Sequence, residues 1–463
     1  MLNSLTLPHL KFSRFDAAVS LMLVGLALAT ALLFWRGDRV GVQVVQVSPV
    51  EGSTGVSTRA VLRVTFDQTM STSERELPLT ISPPVEGEVR WEGTSLIFSP
   101  VESLAPETLY TVTLAETLTS QQGRPVRGLS SWQFQTRQPR LLYVAPDADD
   151  HDQIFSLNPA EPGEPVRLTA EPLGVFDFAL APDGTTLVYA ALREDGGSDL
   201  WAVATDGSNR SPLLTCSEAI CNAAVWAPDG QRLVYERRTL LIPGGAPGPP
   251  RLWWLNPANG DSVPVFDDNQ IIGYGAVWSP DGRWLSYVAP SSQGVQIYNV
   301  DDGQSFLVPS RMGGLAVWSP DSTTVLVADI QPSDTGFSVH LLKAIPQSGQ
   351  LADISGEAAP VEDGSPVWSP NGEWIAFTRK PAGASMGKQI WRMRADGSEA
   401  RYLTAEPDIH HGLPAWSPDG RYLVFQRFHL KELGARPSIW LLEVEAGQMR
   451  ELVAAASRPV WLP

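Results

Sequence analysis

Three short stretches of this sequence hold residue types that could do chemistry. "GASMG" (383–387) has the G-x-S-x-G spacing that presents a serine nucleophile, here Ser385, on a sharp turn. That turn must join a strand to a helix in an α/β sheet, with an acid and a histidine later in the chain. Here it sits between two β-type runs and no such scaffold follows, so a plain hairpin loop is expected. "DADDHD" (147–152) brings together Asp147, Asp149, Asp150 and Asp152, a set that can wrap a hard cation such as calcium. It lacks the glycine and the distant bidentate glutamate of an EF-hand. A solvated acidic turn is therefore the expectation, with calcium as the single candidate cofactor.

"EPDIHHG" (406–412) places Glu406, Asp408, His410 and His411 in one connection. Neighbouring histidines on an extended chain point to opposite sides, so they do not chelate one ion together. Exposed loop histidines are expected there. Cys216 and Cys221, in "TCSEAIC", are the only cysteines; in an exported protein they are candidates for a disulfide closing a small loop. Two thiols without a nearby histidine do not make a zinc site.

These stretches hang on a repeated phrase. "AVWSPDGRWLSYV" begins at Ala276, "AVWAPDGQRLVYE" at Ala224, "AVWSPDSTTVLVA" at Ala316, "PVWSPNGEWIAFT" at Pro366 and "PAWSPDGRYLVFQ" at Pro414, with a weaker "FALAPDGTTLVYA" at Phe178. Its prolines, Pro182, Pro228, Pro280, Pro320, Pro370, Pro418 and Pro463, lie 40 to 52 residues apart. A period in that range with β-type runs predicts one four-stranded sheet per repeat. The Pro-Asp-Gly is a turn: proline presets φ, the carboxylate accepts backbone N–H groups, and glycine takes φ > 0. This row of carboxylates is architecture, and the tryptophan before it should cover the neighbouring sheet.

The final "PVWLP" (459–463) is a first strand without followers. "LLYVA" (141–145), "QIFSL" (153–157) and "VRLT" (166–169) are followers without a first strand. Pairing 457–463 with 141–169 would close a ring of seven sheets; the alternative is six sheets with loose flanking strands. The repeat resembles the TolB-type β-propeller over about 140–463. That resemblance implies a fold shared by periplasmic binding proteins and by regulatory domains of peptidases, and no single activity.

Upstream, 42–137 alternates apolar and polar residues in short runs such as "AVLRVTF", "GEVRWEG", "LYTVTL" and "SWQFQT". With "VTFDQTM", "GEVRWEGTSLIFSP" and "LAPETLYTVTL", this stretch resembles the bacterial Ig-like domain of envelope proteins, which implies a spacer. "LAPETLY" is similar to a tyrosine corner, with Tyr110 bonding back to the preceding turn.

Residues 17–35, behind an N-terminal tail (1–16), hold no charge and would span roughly 28 Å as a helix. A retained membrane anchor is expected, a cleaved signal segment being the alternative. The expected fold is all-β: a seven-bladed β-propeller plus an Ig-like β-sandwich, with an N-terminal transmembrane helix and both folded domains extracytoplasmic. The net charge of −17 and pI near 4.8 would repel phosphate backbones, so nucleic acid is not an expected partner. Envelope proteins or an unidentified ligand are expected instead, and the sequence leaves the oligomeric state open.

Strand alternation puts the Asp-Gly turns on one face, here called lower. The longer loops and the inter-sheet connections fall on the upper face. Asp177, Asn222, Tyr274, Arg311, His411 and Arg458 are expected around its central mouth. No nucleophile–base–acid set can be assembled from neighbouring loops. A binding or scaffold protein is expected, with a propeller hydrolase or metal-dependent lyase acting at the upper mouth as the alternative.

Overall fold

Buried and exposed side chains alternate in Ig-like strands such as Leu62–Phe66 and Leu109–Leu114, whereas Arg140–Pro146 and Trp284–Ala289 are buried along nearly their whole length. The computed structural model describes residues 14–37, 41–71, 77–161, 163–333, 336–356, 359–381, 387–406, 408–432 and 434–463. Ser385 lies outside the described residues, as do 1–13 of the N-terminal tail. Arg14–Gly37 is one helix, rich in Ala and Leu and free of proline. Among the described residues, no helix is long and apolar enough to cross a membrane.

The rest of the chain is all-β and groups into two compact units. Of the described residues, those within 14–53, 61–99 and 109–134 form one, and those within 54–60, 100–108 and 135–463 form the other. The Ig-like region holds two sheets. One runs Gly87–Glu92, Ser95–Pro100, Leu62–Phe66, Val42–Ser48, Val126–Arg127; the other runs Ser53–Val56, Ser131–Thr136, Leu109–Leu114, Leu79–Ser82. In Leu62–Phe66, residues 62, 64 and 66 are buried; in Leu109–Leu114, residues 110, 112 and 114 are. The period of two therefore gives each strand one core face. Tyr110 is buried and stacks on Phe134, with ring centroids 5.6 Å apart.

In the larger unit a four-stranded antiparallel meander recurs, here numbered repeat 1 (175–214), 2 (219–264), 3 (274–309), 4 (317–353), 5 (361–402) and 6 (409–453). A further sheet takes Arg140–Pro146, Asp152–Leu157 and Val166–Arg167 from one part of the chain and Ser457–Leu462 from its far end. Leu141 pairs with Trp461 and Leu142 with Val460. The two flanking segments thus share one sheet.

Apolar clusters form between successive sheets in cyclic order. Leu187 and Tyr189 of repeat 1 pack on Leu142 and Ile154 of the closing sheet, and Tyr235 of repeat 2 on Leu200 of repeat 1. Trp278 meets Val234 and Leu252, Trp318 meets Val295 and Ile297, Trp368 meets Leu326 and Leu341, and Trp416 meets Ala376 and Ile390. Val424 and Ile439 of repeat 6 then meet Leu141 and Tyr143 of the closing sheet. Several indole N–H groups reach back to the preceding sheet: Trp318 to Ser286 Oγ, Trp416 to the Val367 carbonyl, Trp461 to the Ala415 carbonyl. The phrase tryptophan thus works between sheets.

The phrase turn is self-contained. In repeat 3 the Ser279 hydroxyl donates to Asp281 and accepts from Trp284 N, while Gly282 takes φ +74°. Ser319, Ser369 and Ser417 repeat the arrangement. In repeat 4, Ser322 stands where the other turns have glycine and adopts φ +62°.

Candidate functional site

The residues expected at the upper mouth lie on or beside first strands, several of which share a defect. Pairing with the second strand slips between Asn222 and Val225, Tyr274 and Val277, Gly364 and Val367, and Gly412 and Ala415. The final strand slips likewise opposite Leu142 and Val144. These are β-bulges, which twist the strand and free backbone groups from the ladder. Ala223, Gly275, Ser365, Leu413 and Arg458 take positive φ there.

Carboxylates satisfy some of the freed N–H groups. Ala223 N donates to Asp177 Oδ2 at 2.7 Å and Gly275 N to Glu236 Oε1 at 2.8 Å, each carboxylate coming from the preceding repeat. Arg311 N donates to Asp329 Oδ1 at 2.7 Å. Burial pushes the Asp177 carboxyl up, opposed by the Ala223 amide.

Asp177, Asn222, Tyr274, His411 and Arg458 all lie on first or closing strands, and Arg311 in the connection before Val317–Trp318. They differ in access. Arg311 and Arg458 are exposed and Tyr274 is half-buried, whereas Asp177 and Asn222 are only 8% and 9% exposed. Arg458 lies over the half-exposed ring of Phe176, 5.2 Å from its centroid.

The expectation for the histidines needs correcting. His410 and His411 belong to the strand Ile409–Trp416, and His411 is fully buried. Its Nδ1 pairs with Thr404 Oγ1 at 2.7 Å and its Nε2 with Glu406 at 3.0 Å. Burial drives its pKa down to about 4, against the pull of Glu406, so the ring is neutral at neutral pH. Glu406 also accepts two bonds from Arg427, the main cause of its lowered pKa. His410 points the other way, edge-on to Phe428.

The sequence signal for this network is a repeated phrase: "LTAEP" occurs at 168–172 and again at 403–407. In each copy a third-strand glutamine bonds the backbone of the glutamate two residues after the threonine. Gln153 holds Glu171, and Gln389 holds Glu406. Glu171 in turn takes Arg210 at 2.8 Å and the Tyr189 hydroxyl at 2.7 Å. The motif ties a fourth strand to the connection that leaves it.

The acidic turn is not merely solvated. Asp147 accepts from Asp149 N and His151 N, with the His151 amide the chief reason its pKa falls. Asp150 and Asp152 pair with Arg436. Asp149 stays exposed. Among the described residues no group of three or more His, Cys, Asp or Glu is arranged to hold a metal ion. Cys216 and Cys221 are bridged, and both sit in the core between repeats 1 and 2.

Repeat 5 brings together charges that the sequence reading left apart. Arg379 grips both oxygens of the buried Asp363 at 2.7 Å, and Ser355 donates to the same carboxylate. Beside them the half-buried Lys388 reaches over Gly364.

The fold and site define an all-β chain with an Ig-like domain followed by propeller-type sheets. Residues 38–136 match the bacterial Ig-like domain. A protein of Agrobacterium fabrum is 28% identical over 187 residues, 39% of this chain and 56% of that one. The Bacillus subtilis peptidase YuxL is 23% identical over 215 residues, 44% of this chain and 29% of its own. The chain thus spans little more than half of the first relative and under a third of the second. Among solved structures, it is similar to TolB from Acinetobacter baumannii (12% identity, 84% of this chain and 83% of that chain, TM-score 0.43). It is also similar to puromycin hydrolase (17% identity, 70% and 53%, TM-score 0.51). At these identities the likeness concerns the fold.

Proposed function

We propose that this chain is an extracytoplasmic binding or scaffold protein. In this reading the recurring sheets are the blades of a closed seven-bladed β-propeller, and its upper mouth is the docking surface. The Ig-like domain serves as a spacer. The observation that carries the reading is the difference between the two faces. Lower turns are short and spend their polar groups on themselves, as Ser279 and Asp281 do. Upper connections are longer, and they leave Arg311 exposed in the connection before Val317–Trp318 and Arg458 exposed at a bulge.

The test is charge reversal on the full chain. Arg311→Glu with Arg458→Glu should abolish capture of a partner or ligand from an envelope extract. Arg283→Glu with Arg421→Glu, on the lower turns, should leave capture intact. Equal capture by both double variants would remove the mouth as the docking surface. The second reading, a propeller hydrolase or lyase at the same mouth, is favoured by one observation, the peptidase name of a relative. Turnover that survives in purified protein and is lost with the upper-face variant would support it.

A further inference from the structure

We propose that the larger unit carries a second binding site, on its lower side, which takes a neutral sugar ring; it is separate from the upper mouth and does not rest on the reading of that face. The site is a cavity of about 480 Å3, within the roughly 300–1,000 Å3 usual for small-ligand sites. All its walls belong to the larger unit. They are the phrase turn of repeat 6 at 417–419, the third and fourth strands of that repeat, the segment 138–139, the turn 159–160, Trp461, and residues from 54–60 and 100–108. One polar atom in this wall has no use within the chain. Thr58 is 2% exposed, and its hydroxyl has no hydrogen-bond partner among the described residues. Its carbonyl accepts from Leu104 N at 2.7 Å, so the backbone fixes the residue without help from that hydroxyl. A buried hydroxyl left unpaired is costly, and a hydrogen-bonding group entering the cavity would satisfy it.

The charges at the cavity are already engaged. Asp419 accepts from the Ser417 hydroxyl and from Arg421 N, Glu443 pairs with Arg421, and Arg450 donates to the Pro159 carbonyl. A charged ligand would have to break these contacts or stay unpaired. What remains is neutral: the side-chain amides of Gln138 and Gln448 and the Tyr422 hydroxyl, none of them engaged by another described residue. Trp461 donates its N–H to the Ala415 carbonyl, which leaves its ring, with Tyr422 and Met449, as the apolar part of the wall. The face of an aromatic ring carries partial negative charge and attracts polarised C–H groups. A sugar ring matches both parts of this wall. It offers C–H groups on one face, and hydroxyls at its edge that donate and accept.

The test uses the full chain and defined sugars. Cellobiose, maltose and N-acetylglucosamine are titrated by calorimetry and by saturation-transfer NMR, and saturable binding of at least one is the expected result. Galacturonate and glucosamine, the anionic and cationic counterparts, should bind more weakly. Thr58→Val removes the hydroxyl at nearly constant shape. It should weaken binding about fivefold, the loss of one hydrogen bond, and leave the thermal midpoint unchanged or higher because no internal bond is lost. Ala160→Trp, at an exposed position in the wall, should abolish binding with the fold intact. Arg311→Glu with Arg458→Glu should bind as the parent does, which separates this site from the upper mouth. No saturable binding of any of the three neutral sugars, tighter binding of a charged one, or parental affinity in both Thr58→Val and Ala160→Trp would overturn the site, whatever the capture experiment shows.

Discussion

Leu141 and Trp461 face each other across antiparallel strands, joining the start of the larger unit to the end of the chain. The Trp461 indole then reaches past its own sheet to the Ala415 carbonyl in repeat 6. One side chain therefore closes a sheet and fastens that sheet to its neighbour.

Removing 457–463 should strip Arg140–Pro146 of its partner and leave an open sheet edge, a template for association. The truncated protein is expected to show a lower thermal midpoint and concentration-dependent aggregation by light scattering. Leu462→Ala, a milder change at a position 2% exposed, should cost about 2–5 kcal/mol in urea unfolding. An unchanged midpoint in the truncated chain would mean that the closing strand carries no stability.

His411 predicts a pH dependence with a defined sign. Its ring faces Thr404, Glu406, Arg427 and His410, and its folded pKa is about 4 against an ordinary 6.5. As pH falls below 6.5 the unfolded chain takes up a proton that the folded ring refuses until about 4. Stability should therefore decline across that window, by about 3 kcal/mol in total. Glu406, held low by Arg427, acts in the same direction, because its stabilisation disappears as the carboxylate protonates. Unfolding free energies at pH 7 and pH 4.5 should differ less in His411→Gln than in the parent. Parallel pH profiles would contradict this account.

Breaking the Asp363–Arg379 pair should be severe, because both groups are over nine-tenths buried. Asp363→Asn or Arg379→Met alone is expected to cost about 3–5 kcal/mol, since each strands its partner. The double variant should lose less than the two singles summed. Strict additivity in the double-mutant cycle would show that the two groups do not interact.

The Cys216–Cys221 bridge closes a loop with a sequence separation of 5, so Cys216→Ser with Cys221→Ser should cost about 2 kcal/mol. Both cysteines are fully buried, and mild reductant without denaturant should leave them unreactive to thiol labels. Rapid labelling of the native protein would overturn the burial.

Much of the scaffold could be read from residues alone. The Trp-Ser-Pro-Asp-Gly phrase marks the turn between first and second strands, and the segments 141–145 and 459–463 stand without partners along the chain. The site was less legible. Asp177, Asn222 and His411 were placed at the mouth by position, but bulge amides and packing draw them inward. Position along the chain fixes where a backbone enters the sheet. It does not fix which way a side chain turns once that strand slips by a residue.

The sequence by itself determined the period, the turns and the alternation of core and surface, because these depend on φ preferences and on neighbours a few residues away. Only the tertiary structure decided which charges meet. Asp363 finds Arg379, Asp152 finds Arg436, and Glu406 finds Arg427. Electrostatic partnership depends on distances between strands that chain spacing does not encode, so these pairs become visible only after folding.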